Sequence, residues 1–208
     1  MALMARPAPT TVRGQLTRER VLRAAMQLIR ERGVAAVSLD DVQTAAGVGR
    51  SQLYHYFDGR DDLIHAVIDT TVDAVLGGGA DGPFIVDSLA DIERWFAWAE
   101  SICVSTGGVG GCPIGSLVSQ LAEQDESARA ALADAFARWE APLLAGLARM
   151  RDRGEVEQST AVAELADFVM ATLQGGLLLA QVRRDPDQLR RALTGARRAL
   201  GSVAAPVS

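Results

Sequence analysis

The chain has 208 residues, of which 49% are hydrophobic and 5% aromatic, and its formal net charge is −5. This length is enough for one large or two small domains with a proper core. Two cysteines, Cys103 and Cys112, exclude a disulfide scaffold and fit a reducing cytoplasm. Residues 1–16 lack a signal-peptide pattern and no run of about 18 consecutive apolar residues occurs, so we expect neither export nor a membrane span.

The charged residues are unevenly distributed along the chain. Residues 1–60 contain nine Arg and five acidic residues, a net charge of +4, whereas the remaining residues have a net charge of −9. A basic N-terminal third on an acidic body is typical of a protein that orients itself on polyanionic DNA.

Apolar residues recur at helical spacing along most of the chain, and no alternating strand pattern occurs, so the sequence predicts an all-α protein of about nine helices. We expect a disordered arm over residues 1–16, a DNA-binding domain over residues 17–60 and a helical body over residues 61–208. The first helix is predicted to begin at Thr17 and to end at Gly33. Helices two and three form the motif described next, and the fourth runs from Arg60 to a glycine break at residues 77–79. Five more are predicted: one near residues 87–104, one that begins at Pro113, and three near residues 125–153, 159–184 and 186–200.

The segment 38–57 indicates a helix-turn-helix, in which the second of two short helices is presented to the DNA major groove. Ser38 and Asp41 have the spacing of a capping box, so the first of these helices is predicted to begin after Ser38. Gly47 stands where the chain must turn, a position that favours a residue without Cβ.

The second helix of the motif has two distinct faces. At about 100° per residue, Leu53, Tyr56 and Phe57 lie on one side and are predicted to be buried. Ser51 and His55 lie opposite them, and Gln52 and Tyr54 lie at the flanks. An outer face of hydrogen-bonding groups, with Arg50 at the helix start, can contact base edges and phosphates.

On these residues the chain resembles TetR/AcrR-family transcriptional repressors. The segment 46–63, Ala-Gly-Val-Gly-Arg-Ser-Gln-Leu-Tyr-His-Tyr-Phe-Asp-Gly-Arg-Asp-Asp-Leu, is similar to the family pattern AGVS-x-x-x-LYxHF-xx-K-x-x-L. Gly111-Cys-Pro-Ile-Gly-Ser-Leu117, Trp139 and residues 173–180 resemble the multidrug- and flavonoid-responsive LmrA/YxaF subgroup. Gly49 departs from the pattern where the family has a Ser cap, and Gln43 departs where it prefers a small residue at the helix crossing.

The resemblance implies a homodimer that binds a palindromic double-stranded DNA operator and is released by a small-molecule inducer, with no cofactor. It implies that Tyr54 and His55 contact phosphates and that Arg60 takes the place of the family's Lys. We expect Gln52 to read a base, because a carboxamide can bond bidentately to adenine. The complete set of expected DNA contacts is Gln43, Thr44, Arg50, Ser51, Gln52, Tyr54, His55 and Arg60.

The body is expected to hold an apolar cavity for an aromatic or lipophilic inducer. Its candidate lining residues, each of which could equally be ordinary core, are Trp95, Trp98, Ile102, Leu117, Phe136 and Trp139.

The two cysteines leave a second kind of signal open. Cys112 lies next to a predicted helix start, where partial positive charge lowers a thiol pKa, so a redox sensor paired with Cys103 is an alternative. An inert, buried Cys112 is the other interpretation.

Dimerisation is expected through the last two helices, packed as a four-helix interface between two subunits. The stripe predicted to form this interface consists of Leu165, Phe168, Val169, Thr172, Gly175, Gly176 and Leu179.

An enzyme is the rival class of function. The glycine-rich segment 107–115 lacks the Gly-Lys-Ser of a phosphate-binding loop, and no strand is predicted before it. The only histidines, His55 and His65, both fall near the DNA-binding motif, so catalytic and metal sites are hard to assemble. An architectural DNA-binding protein without an inducer is a further alternative.

Overall fold

The structure is a computed structural model that describes residues 9–77 and 85–205. Within these ranges it contains nine α-helices, one short 3-10 turn and, in place of strands, a single isolated bridge between Val156 and Ala204. The helices are α1 (Val12–Arg32), α2 (Leu39–Ala46), α3 (Arg50–Tyr56), α4 (Arg60–Leu76), α5 (Leu89–Ser105), α6 (Pro113–Leu121), α7 (Glu126–Asp152), α8 (Val162–Arg183) and α9 (Asp187–Ser202). The predicted all-α fold class is confirmed.

The described residues form two compact units. The first unit contains residues 9–73 and 117–135, and the second contains residues 74–77, 85–116 and 136–205. The first unit therefore extends beyond the expected boundary at residues 60 and 61, because most of α4 and the segment 117–135 group with the helix-turn-helix.

Helix α1 begins earlier than its sequence indicates. It starts at Val12, and the side chain of Thr11 caps it by accepting a hydrogen bond of 3.2 Å from the Gly14 amide. The Thr17 hydroxyl instead donates to the Arg13 carbonyl inside the helix. The predicted start at Thr17 was wrong, since residues 12–16 of the expected arm are helical. Residues 1–8 of that arm lie outside the described residues.

The buried side of α1 matches its apolar spacing. Val21, Leu22, Ala25, Leu28 and Ile29 are all buried, and the helix packs against α2. This packing covers the inner side of α2 and so helps to fix the helix-turn-helix in the first unit.

In the second unit an arginine ties α5 to α9. The Arg197 guanidinium donates to Glu93 at 2.7 Å and to Glu100 at 2.9 Å, and it lies 5.4 Å from the centroid of the Phe96 ring. Glu93, Phe96 and Glu100 are spaced on one side of α5, so a single side chain from α9 holds two turns of it. This arrangement fixes α5, which carries Trp95 and Trp98.

Helices α8 and α9 pack closely at Gly176. A Cβ atom at this position would lie 2.9 Å from Ala192 Cβ and 2.9 Å from Leu189 Cδ1. Val169, which is 0% exposed, lies on the same inward side of α8. Val169 and Gly176 were expected in a subunit interface, and that expectation was wrong for both, because α9 of the same chain covers this side.

We expect the Gly176→Ala substitution to lower the free energy of unfolding by about 1–3 kcal/mol, because the added methyl group forces α8 and α9 apart. Gly195→Ala, in α9, is the matched control, because a Cβ there meets nothing within 4 Å. Helix propensity alone then favours Ala over Gly by about 0.5–1 kcal/mol. Urea unfolding of both variants at one protein concentration measures the two changes. A Gly176→Ala variant as stable as Gly195→Ala would contradict the close packing of α8 and α9.

Candidate nucleic-acid interface

The first helix of the motif is capped as its sequence predicts. The Asp41 amide donates to the Ser38 hydroxyl at 3.1 Å, and the Ser38 amide donates to the Asp41 carboxylate at 2.9 Å. The Ser38 hydroxyl also donates to the Asp41 carboxylate. This bond, the bond from the Ser38 amide and the nearby Arg32 charge hold the pKa of Asp41 below its usual value. The capping box is confirmed, and it fixes the residue at which α2 begins.

The turn between α2 and α3 is built on Gly47. Its φ is +61°, and the amides of Gly47 and Val48 donate back to the carbonyls of Thr44 and Gln43. A residue with a Cβ is strained at this φ, so the glycine is required by the backbone. The buried Val48 follows at once and anchors the start of α3.

Helix α3 starts at Arg50 after Gly49, and Gln52 takes part in its cap. The Gly49 amide donates to Gln52 Oε1 at 3.1 Å. Bidentate reading of adenine needs both the oxygen and the nitrogen of a carboxamide. In this structure the Gln52 oxygen already accepts a hydrogen bond from the backbone. The sequence prediction that Gln52 reads a base did not take this contact into account.

The inner side of α3 holds two of the three side chains predicted there. Leu53 and Phe57 are each 1% exposed, and the Arg18 guanidinium of α1 lies 5.4 Å from the centroid of the Phe57 ring. Tyr56 is only half-buried, so its prediction as a core residue was wrong. At about −60° from Leu53 it falls at the rim of the inner face, where neighbouring helices no longer cover it.

Tyr56 is therefore a candidate contact that the face analysis missed. Its ring meets the His55 ring edge-on, with the two centroids 5.0 Å apart. The family pattern has His at this position, so the resemblance indicated a polar group that faces DNA. The angle of Tyr56 around α3 instead predicted a buried side chain, and that prediction was preferred.

The outer side of α3 is exposed and free of acidic side chains. The side chains of Arg50, Ser51, Gln52, Tyr54 and His55 are all exposed there. The Arg50 guanidinium lies 5.7 Å from the centroid of the Tyr54 ring, at the distance of a cation–π contact. These groups supply hydrogen-bond donors and positive charge on one surface, which is what phosphates and base edges require.

An open notch of about 420 Å³ lies beside this surface in the first unit. Arg50, Tyr54 and Arg60 line it, together with residues 35–40. One nitrogen of the Arg60 guanidinium donates to the Val34 carbonyl at 2.8 Å, which ties the start of α4 to the 3-10 turn Val34–Ala36. Arg60 therefore has a structural contact as well as charge for a phosphate.

The two expected contacts from α2 differ in exposure. Thr44 is exposed, and its hydroxyl donates to the Asp40 carbonyl at 2.8 Å. Gln43 is half-buried, in keeping with its place at the helix crossing. Both residues lie on α2 and not on the outer face of α3. Their contact with DNA therefore depends on how deeply α3 enters the major groove.

In the second unit the structure brings together three of the six residues predicted to line an inducer cavity. The Trp139 ring centroid lies 6.3 Å from that of Trp95, edge to face, and 5.9 Å from that of Phe136. Trp98, on α5, is half-buried. Leu117 is buried but groups with the first unit, and Ile102 is 49% exposed, so Ile102 was wrongly placed in the cavity. It falls on the outer side of α5, which no other described helix covers.

The cysteine thiols are buried free thiols. Burial raises the pKa of Cys112, and this outweighs the hydrogen bond of 3.3 Å that its sulfur accepts from the Gly115 amide. Burial likewise raises the pKa of Cys103, with the Asp185 charge adding to the shift. A raised pKa disfavours the thiolate, which is the reactive form, so the geometry speaks against the redox alternative. No group of three or more His, Cys, Asp or Glu side chains in the described residues is placed to hold a metal ion.

Comparison with known proteins agrees with this geometry. Residues 21–67 match the family described as bacterial regulatory proteins, tetR family, and residues 88–194 match the LmrA/YxaF-like C-terminal domain of transcriptional regulators. The chain belongs to the tetR family. It is a DNA-binding transcriptional regulator, and its family consists of regulators and not of enzymes.

Relatives of this tetR-family regulator match most of its length. An uncharacterised HTH-type transcriptional regulator of Mycobacterium tuberculosis is 32% identical over 81% of this chain and 86% of its own. Another, from the lacX 3' region of Lactococcus lactis, is 30% identical over 81% of this chain and 85% of its own. The crystal structure of a TetR-family regulator from Cytophaga hutchinsonii superposes with a TM-score of 0.77 over 96% of this chain and 100% of its own, at 16% identity, and so shows the shared fold.

Proposed function

We propose that this tetR-family regulator is a repressor that binds a palindromic operator as a homodimer and is released by a lipophilic or aromatic inducer. The observation that carries the DNA-binding part is the outer face of α3, which offers Arg50, Tyr54 and His55 and no carboxylate. The excess of positive charge in residues 1–60 supports the same orientation toward DNA. Such a regulator acts in the cytoplasm, where its operator lies.

The homodimer is supported by an outward apolar stripe on α8. Phe168, Leu179 and Val182 lie on one side of this helix and are all exposed. Leu165, Thr172 and Gly175 share that side, and we call these six residues the α8 stripe. An open groove of about 340 Å³ continues the stripe toward Ala199 and Val203, at the end of α9. Large apolar side chains exposed together are typical of a surface that another subunit covers.

The apolar length of α8 fits the same interpretation. By length and composition alone α8 is the one helix in the described residues that could cross a membrane. Its sequence has no uninterrupted apolar run of about 18 residues, because Glu164, Asp167 and Gln174 lie within it. Its inward side packs on α9 of the same chain, and its outward side is the α8 stripe. Packing within the protomer accounts for the first apolar side, and a subunit interface would account for the second.

The inducer part of the proposal is supported by the aromatic cluster of Trp95, Phe136 and Trp139. Trp139 is buried, and its Nε1–H has no hydrogen-bond acceptor among the described residues. A buried donor without an acceptor costs about 1–3 kcal/mol, which a ligand oxygen would recover. An aromatic or lipophilic molecule with one acceptor group fits these surroundings.

Footprinting on the DNA upstream of the protein's own gene tests the operator. We expect symmetric protection of two half-sites whose centres lie about 34 Å apart, or a multiple of it. A panel of flavonoids and cationic dyes is then screened for release of the bound DNA. A releasing compound should quench Trp fluorescence in the wild type, and less in Trp139→Phe than in the Trp98→Phe control. If the protein binds no specific sequence either upstream of its own gene or in a genome-wide pull-down, it is not a repressor. Operator binding that no compound releases would favour an architectural DNA-binding protein.

A further inference from the structure

We propose that Arg50 reads a guanine in each half-site of the operator and that Tyr54 is the positioning residue that holds its guanidinium. The inference rests on the proposed function, since it assigns the base that the DNA-binding surface recognises. It replaces Gln52 as the base reader.

Arg50 differs from Arg32 and Arg60 in what its guanidinium contacts. Like Arg18 it lies against an aromatic ring, but it does so on the exposed outer side of α3. Arg60 donates to a backbone carbonyl, and Arg32 lies 3.7 Å from the Asp41 carboxylate. Arg50 has no hydrogen bond or ion pair with any described residue, and its contact is the face of the Tyr54 ring at 5.7 Å. The N–H donors of the Arg50 guanidinium are therefore available for DNA in the DNA-free protein.

The cation–π contact with Tyr54 holds the guanidinium on the outer side of α3 without a hydrogen bond to it. The five N–H donors of the guanidinium therefore have no oxygen or nitrogen acceptor among the described residues. Tyr54 is one turn after Arg50 on the same exposed side of α3. The pair therefore presents a planar, pre-positioned donor fork at the start of the recognition helix.

Guanine is the base that this fork fits. The N-terminal residues of a recognition helix contact base edges in the major groove, and Arg50 is the first residue of α3. Guanine presents O6 and N7 there as two adjacent acceptors, and a bidentate Arg–guanine contact is the commonest specific pairing. Gln52, the other long polar side chain of α3, uses its oxygen in the helix cap.

Selection from a library of randomised duplexes by the full-length protein tests the assignment. The wild type is expected to select a guanine at one symmetric position in each half-site. Arg50→Ala loses both the charge and the donor fork, so it should lose the preference at that position while other positions stay unchanged. Arg50→Lys keeps the charge and can still donate to guanine, but without the planar fork, so it should weaken the preference less than Arg50→Ala does. In Arg50→Ala the preference is expected to fall on the order of 5- to 150-fold per half-site, the range for one good bidentate pair.

Base analogues identify which guanine atoms Arg50 contacts. Replacing the selected guanine by 7-deazaguanine removes the N7 acceptor, and this should weaken binding of the wild type but not of Arg50→Ala. Inosine is the matched control, because it keeps O6 and N7 and lacks only the minor-groove amino group. Tyr54→Phe keeps the stacking ring and should keep the guanine preference, whereas Tyr54→Leu should weaken it.

Three outcomes would overturn the inference. In the first, Arg50→Lys selects the same sequence as the wild type and Arg50→Ala weakens every sequence equally with a salt slope reduced by about one per protomer, which identifies a phosphate contact. In the second, the wild type selects a palindrome without a guanine that depends on Arg50, which leaves operator binding intact. In the third, the wild type selects no sequence at all, and operator binding itself fails with the inference.

Discussion

The Phe168→Glu substitution is expected to convert the protein to monomers and to lower operator affinity about 100- to 10,000-fold, because two linked half-site contacts become two independent ones. Phe168 is 46% exposed in the α8 stripe and lines the adjoining groove, so the folded protomer tolerates a charge there. In a subunit interface the same carboxylate would be buried without a partner, at a cost of several kcal/mol. Sedimentation velocity measures the mass against the 22.0 kDa protomer, and gel shifts measure the affinity.

Ile85→Glu is the matched control for this experiment. Ile85 is another exposed apolar residue of the second unit, outside α8 and α9, and its substitution changes the charge by the same amount. It should leave both the mass and the operator affinity near those of the wild type. Were Phe168→Glu still to sediment at twice the protomer mass, the α8 stripe would not be the subunit interface.

The Phe57→Ala substitution is expected to destabilise the first unit by about 3–5 kcal/mol, as for other truncations of a buried aromatic ring. Phe57 is 1% exposed and its ring lies 5.4 Å from the Arg18 guanidinium of α1, so truncation to Ala leaves a cavity in the core of the first unit. With native stabilities near 5–15 kcal/mol, such a loss removes much of the stability that holds α3 in place. DNA binding should fall with it at moderate temperature.

Two probes separate this local loss from global unfolding. All three tryptophans, Trp95, Trp98 and Trp139, lie in the second unit, so their fluorescence reports that unit, whereas far-UV circular dichroism reports all helices. In Phe57→Ala the dichroism should begin to fall at a lower urea concentration than the fluorescence changes. Tyr56→Ala, the neighbouring half-buried position, should cost much less stability. A loss below about 1 kcal/mol in Phe57→Ala would be at odds with a buried ring at this position.

Local signals predicted the helix-turn-helix well. The Ser38–Asp41 capping box, the left-handed Gly47 and the buried Leu53 are all found as their spacing indicated. The capping box and the Gly47 turn depend on contacts between residues no more than five positions apart, so the sequence of the segment contains nearly all the information for them. The start of α1 was missed because two hydroxyl residues, Thr11 and Thr17, offer the same capping group, and spacing does not choose between them.

The coverage of each helix face required the whole structure. Helical spacing gives the angle of a side chain around its own helix, but it does not say which angles a neighbouring helix covers. Tyr56 and Ile102 were therefore expected inside and lie at or near the surface, whereas Val169 was expected outside and is buried under α9. Gly175 and Gly176 are adjacent in sequence, yet only the second meets another helix.

The sequence by itself determined that this chain is a helical, DNA-binding regulator of the tetR family. The reason is that helix caps, turns and the charge of its N-terminal third depend on residues close together in the sequence. The tertiary structure decided which groups of that surface remain available for DNA. It ties the Arg60 guanidinium to the Val34 carbonyl, 26 residues away, and leaves the outer side of α3 exposed while Leu53 and Phe57 are buried. A hydrogen-bonding group already satisfied within the protein cannot also read a base without giving up its partner, and only the folded arrangement shows which partners are taken.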